Sequence, residues 1–132
     1  MKILKIFYRH YQYCRSTNSN FLVWSILRVY YFVFYRKTIN SHHRVTIKGL
    51  KNISINKSLR IGMNPEGFVP RDEGTYLNIQ GKMTIKGSWS VGRGCKIWVD
   101  PNGTLEIGNG GYVNSYTNFM VGHSVKIGDN CI

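Results

Sequence analysis

The sequence predicts a mainly β chain, a parallel β-solenoid preceded by one or two N-terminal α-helices, from three observations. First, large apolar residues recur at six-residue steps through Ile79, Ile85, Val91 and Ile97, then after a ten-residue step at Ile107, Val113 and Phe119, and after eight more at Ile127. Second, all 14 glycines lie at or after Gly49, while residues 1–48 contain neither Gly nor Pro. Third, VTIKGLKNISINKSLRIG (45–62) alternates at strand period and keeps the six-residue step through Ile47, Ile53 and Leu59. These divide the chain into a basic, aromatic helical segment (1–40), irregular first turns with a Pro/Gly loop (41–76), and regular hexads (77–132).

In the first segment, MKILKIFYRHYQYCR places Ile3, Phe7, Tyr11 and Cys14 on one stripe at helical spacing. Ser16–Asn20 breaks that pattern and offers a cap for a second helix over FLVWSILRVYYFVFYRK (21–37). Its apolar run, 21–35, is about 22 Å long as a helix, short of a hydrocarbon core of about 30 Å. Arg28 stands near its middle, where a spanning helix would bury it at about 2.5–3.5 kcal/mol. No small-residue cleavage site follows, so a secretory signal is disfavoured. A helix lying in the membrane interface fits better, with Trp24, Arg28, Arg36 and Lys37 as contacts to anionic head groups. The alternatives are packing on the following domain or at a subunit interface, and a true transmembrane anchor.

A period of six belongs to neither helix nor strand alone. It arises when a short strand and its corner together take one hexad, three hexads making one turn. The large residue then points inward, and the residue two before it, as at Leu77, Met83, Cys95, Leu105, Gly111 and Val125, is apolar or small. Trp89 fits that position poorly. Gly92-Arg93-Gly94 and Gly108-Asn109-Gly110-Gly111 read as corners rather than phosphate cradles, because both keep register. NPEGFVPRDEGTY (64–76) reads as a loop between early and regular turns. An ordinary antiparallel sheet predicts no fixed period.

All of the net charge of +12 lies in residues 1–65, which hold 12 Lys or Arg and no Asp or Glu. That asymmetry points to an anionic surface met by one end. Basic residues scattered among apolar runs, without a recognised motif, argue against nucleic acid. Cys14, Cys95 and Cys131 form no CxxC spacing. A reducing cytoplasmic setting follows, with Cys95 and Cys131 as small core residues and no metal site.

The hexads IGNGGY-VNSYTN, VGHSVK and IGDNCI resemble the hexapeptide-repeat acyltransferases, and the layout resembles their branch in capsule, O-antigen and exopolysaccharide gene clusters. The resemblance covers roughly residues 45–132 and implies a left-handed parallel β-helix. It implies a homotrimer with acetyl-CoA as acyl donor in a groove between subunits and a sugar or oligosaccharide as acceptor, working at the cytoplasmic membrane face. A histidine serves as general base, placed shortly after the IGDNC phrase. The chain therefore reads as an N-terminal portion, and a solenoid ending at Ile132 predicts poor solubility of the chain alone. The competing reading is a non-catalytic solenoid, a scaffold or partner subunit with a membrane-interfacial N-terminus.

The catalytic residue is not identified by the sequence. His10 falls in the first helix, and His42 and His43 precede the strand read at Val45, with no third metal ligand at a recognisable spacing. His123 is the histidine inside a repeat and the candidate base, although its variable hexad position points it outward as a surface residue. Asn114 and Tyr116 are candidates for lining the acceptor pocket, with a corner asparagine ladder as the alternative.

Overall fold

The computed structural model describes residues 1–63, 69–70 and 72–132. Two helices come first, α1 (Lys2–Ser16) and α2 (Phe21–Tyr35). Asn20 caps α2, its Oδ1 accepting from the Leu22 and Val23 N–H groups at 3.0 and 3.2 Å. Twelve strands follow among the described residues. The first six are β1 (Ile39–Ser41), β2 (Val45–Lys48), β3 (Ile53–Ile55), β4 (Ser58–Ile61), β5 (Thr75–Ile79) and β6 (Lys82–Ile85). The rest are β7 (Ser88–Val91), β8 (Lys96–Val99), β9 (Thr104–Ile107), β10 (Tyr112–Val113), β11 (Asn118–Val121) and β12 (Ser124–Ile127).

Each strand pairs in parallel with the strand three places later. The three sheets run β1-β4-β7-β10, β2-β5-β8-β11 and β3-β6-β9-β12. One circuit of the chain thus uses one strand from each sheet, in the manner of a β-helix-like coil. Parallel register sets like on like. Ile55, Ile85, Ile107 and Ile127 stack in one file, and Ile53, Met83, Leu105 and Val125 in the next. The inward side chains of the middle turns lose all or nearly all contact with solvent. Their counterparts on β10–β12, Val113, Phe119, Val125 and Ile127, are half covered, because no described strand stacks on them. At the other end α2 lies on β1, and Leu27, Tyr31 and Tyr35 pack into the same core as Ile39.

The phase of the repeat differs from the sequence reading. Ile79 stands against Val99 and Val121, whereas Ile97 and Phe119 stand against Leu77. The extra residues are therefore spread over several corners, including Arg93-Gly94, instead of one ten-residue step. A shift of two preserves the inward parity of a strand, so Ile97 and Val99 are equally plausible from sequence. Trp89 is also corrected: it is a buried core residue. Its ring lies near that of Phe119, with centroids 6.5 Å apart. Cys95 is buried as expected, but Cys131 is exposed on the last turn. Of the loop read at 64–76, residues 64–68 and 71 lie outside the described residues, and its last two positions already belong to β5.

Candidate functional site

The corner joining the β1 sheet to the β2 sheet carries a column of polar groups that the sequence reading had scattered. His42 and His43 occupy its first level, just after β1 rather than before the first strand. The His42 ring is 1% exposed. Its Nδ1 accepts the Arg44 N–H at 3.2 Å, which fixes the proton on Nε2, and Nε2 donates to the Asn18 carbonyl at 3.1 Å. The His43 ring lies against it, tilted by 38° with centroids 4.0 Å apart, and His43 Nε2 lies 3.7 Å from the Asp72 carboxylate.

Arg93 stands two levels up and is also 1% exposed. Its guanidinium donates to the Thr17 carbonyl at 2.6 Å and to the Gly62 carbonyl at 2.9 and 3.2 Å. Thr17 is the C-cap of α1, where helix carbonyls are unpaired and the helix dipole is negative, so a cation there satisfies both. Arg93 and His42 together bind the end of α1 to the coil. Ser19 adds a hydroxyl contact to Met63 Sδ at 3.1 Å. Above Arg93, the Tyr116 ring lies on Gly94. Gly94 has φ +82°, and a Cβ there would meet Tyr116 Cδ1 at 2.8 Å, so both conformation and space require glycine.

Asn114 and Tyr116 sit on this corner, both exposed. The Asn114 carbonyl accepts from Cys95 Sγ at 3.0 Å and from Thr117 Oγ1 at 2.8 Å. The amide ladder stands at another corner, where Asn56 Nδ2 donates to the Lys86 carbonyl and Asn109 Oδ1 accepts from Ser88 N–H. His123 lies on a third corner, after β11, with its side chain exposed. The structure therefore does not bring His123 together with Asn114 and Tyr116.

Trp24 is corrected as a membrane contact. It is 3% exposed, packed with Cys14 and Met63 and edge-on to His10 and Tyr13. Arg28 turns its guanidinium over that indole at 5.2 Å, on the coil side of α2. Arg36 is exposed and Lys37 half-buried. The burial of Cys14 pushes its thiol up to about 11, so it is an unreactive packing group.

The sequence reading missed Arg93 as a structural cation and His42 as a structural donor. A Gly-Arg-Gly corner does point to a special backbone, but nothing nearby in sequence announces Thr17 as the partner. No helix among the described residues is long and apolar enough to cross a membrane.

A curated relative, described as an "Uncharacterized 24.8 kDa protein in cps region" of Klebsiella pneumoniae, is 24% identical over 117 residues. The match covers 87% of this chain and 52% of that protein, so the chain spans about half the relative's length. No protein-family model matches, and no solved structure matches.

Proposed function

We propose that this chain is part of an acyl-CoA-dependent O-acetyltransferase of surface-polysaccharide synthesis, built on a left-handed parallel β-helix and working at the cytoplasmic face of the membrane. The observation that carries the reading is the three-strand circuit with like residues stacked in parallel register. The relative encoded in a capsule region supports the polysaccharide setting. On this reading, acetyl-CoA lies along a groove between the coils of a trimer. A histidine takes the proton of a sugar hydroxyl, the oxygen attacks the thioester carbonyl, and the CoA thiolate leaves and is reprotonated. Backbone N–H groups stabilise the oxyanion.

His123 is a poor base in this scheme, because no described side chain orients its ring. The reading places the base on a turn stacked upon β10–β12, as the resemblance implies. The test is the O-acetyl content of the source organism's surface polysaccharide, measured by proton NMR with and without the gene. Loss of O-acetyl signals, restored by the gene in trans, is expected. An unchanged spectrum would contradict the reading and favour the scaffold alternative.

A further inference from the structure

We infer that the two helices form a docking face for an anionic phospholipid surface, with the face on α2 opposite to the one the sequence suggests. α2 is apolar nearly all round, and such a helix is normally covered all round. Here only half is covered. Trp24, Leu27, Tyr31 and Tyr35 lie toward the coil. Leu22, Ile26, Val29 and Val33 recur at the same helical spacing on the opposite side and are 61–69% exposed for the first three and 54% for the last. Arg28, which would oppose apolar contact, is drawn to the coil side by Trp24. The outward stripe therefore carries no charge.

α1 extends the pattern. Its last turns pack on α2 through His10, Tyr13 and Cys14. Its first turns leave Ile3, Leu4 and Phe7 57–69% exposed. Lys2, Lys5 and Arg9 follow one another on a different side at helical spacing. Fifteen residues in each helix give about 22 Å, so both lie in an interface rather than cross it.

Charge selects the occupant. Residues 1–37 carry seven Lys or Arg and no Asp or Glu, so the same helices of a second copy would repel this face. Anionic head groups complement it, each nearby cation adding about 1 kcal/mol of attraction. Exposed Tyr8, Tyr11 and Tyr30 suit the head-group level.

The docking rests on the membrane part of the proposed function and not on acyl transfer, so the two fail separately. The test is flotation of the full chain with vesicles of phosphatidylcholine, alone or mixed with phosphatidylglycerol. Wild type is expected to float with the mixed vesicles at about 0.1 M salt and to be released in large part at about 1 M, where screening shortens to about 3 Å. Ile26→Gln/Val33→Gln, on exposed positions that leave the coil contacts intact, is expected to weaken binding roughly a hundredfold with an unchanged circular dichroism spectrum. Equal flotation of wild type and the double variant would overturn the inference. So would failure of wild type to bind mixed vesicles, or light scattering in which the variant dissolves an oligomer while wild type ignores lipid.

Discussion

The coil and the helical pair bury their apolar residues in opposite ways. In the coil each inward side chain meets its own equivalent one turn away, so Ile85 finds Ile107 and Ile107 finds Ile127. The helices have no such self-similar partner. α2 takes cover from β1, α1 takes cover from α2, and both leave an apolar stripe open. A repeating structure carries its core within its own period, whereas an appended structure depends on single long-range contacts. Arg93, reaching 76 residues back to Thr17, is the clearest of them.

The contrast breaks most visibly under one substitution made in both regions. Ile107→Asp buries a carboxylate between Ile85 and Ile127 and is expected to remove more than about 4 kcal/mol, unfolding the chain by circular dichroism. Val29→Asp, on the open side of α2, is expected to change stability by no more than about 0.5 kcal/mol. Equal losses would mean that the α2 stripe is as buried as the coil.

Arg93→Met tests the junction. It removes the guanidinium donor from the Thr17 and Gly62 carbonyls, leaving Thr17 only the longer contact from the Ser19 hydroxyl at 3.4 Å, and is expected to cost about 3 kcal/mol. The loss should appear as faster hydrogen exchange in α1 and its linker, with the coil amides of β8 and β9 still protected. Arg93→Lys should recover only part of it, because an ammonium lacks the guanidinium fork. Uniform deprotection of both regions would show that helix and coil unfold as one unit.

Gly94→Ala sharpens the picture of the corner. A positive φ and the Tyr116 ring should together make it cost about 1–2 kcal/mol in thermal unfolding. Tyr116→Ala in the same chain should recover the steric share and leave the backbone share, so full additivity would place the ring elsewhere.

The smallest effect is a pH dependence confined to the helices. Burial, then Arg28 and Arg9, lower the pKa of His10. The folded hairpin therefore favours the neutral ring, and the unfolded chain binds the proton more readily. The contribution is present above the ordinary histidine value of about 6.5 and fades as pH falls through it. His10 is largely solvated, so the expected change is a few tenths of a kcal/mol, read as α1 exchange rates that rise at low pH in wild type and stay flat in His10→Gln.

Much of the coil was legible because its period is written in the residues that make it. The files through Ile85 and Ile107 were visible before any coordinate. The phase over the second sheet was not, since Ile97 and Val99 are both aliphatic and a two-residue slip leaves parity intact. Trp89 was unreadable because its indole is far larger than the apolar or small residues at the equivalent positions, and only burial beside Phe119 shows that it faces in. The helices were legible as helices, and a cap was legible somewhere in Ser16–Asn20, which the structure assigns to Asn20. Their orientation was not: aromatic composition marked Trp24 as an outward contact, and only Met63 and Cys14 reveal that it faces in. The pairing of Arg93 with Thr17 leaves no local trace.

The stacking of strands three apart carries both the fold and the proposed chemistry, and methyl NOE spectroscopy of the full chain reads it directly. The account predicts cross-peaks between Ile85 and Ile107, between Ile107 and Ile127, and between Ile79 and Val99. Cross-peaks joining Ile79 to Ile97 as direct neighbours, or pairings that run antiparallel, would contradict it.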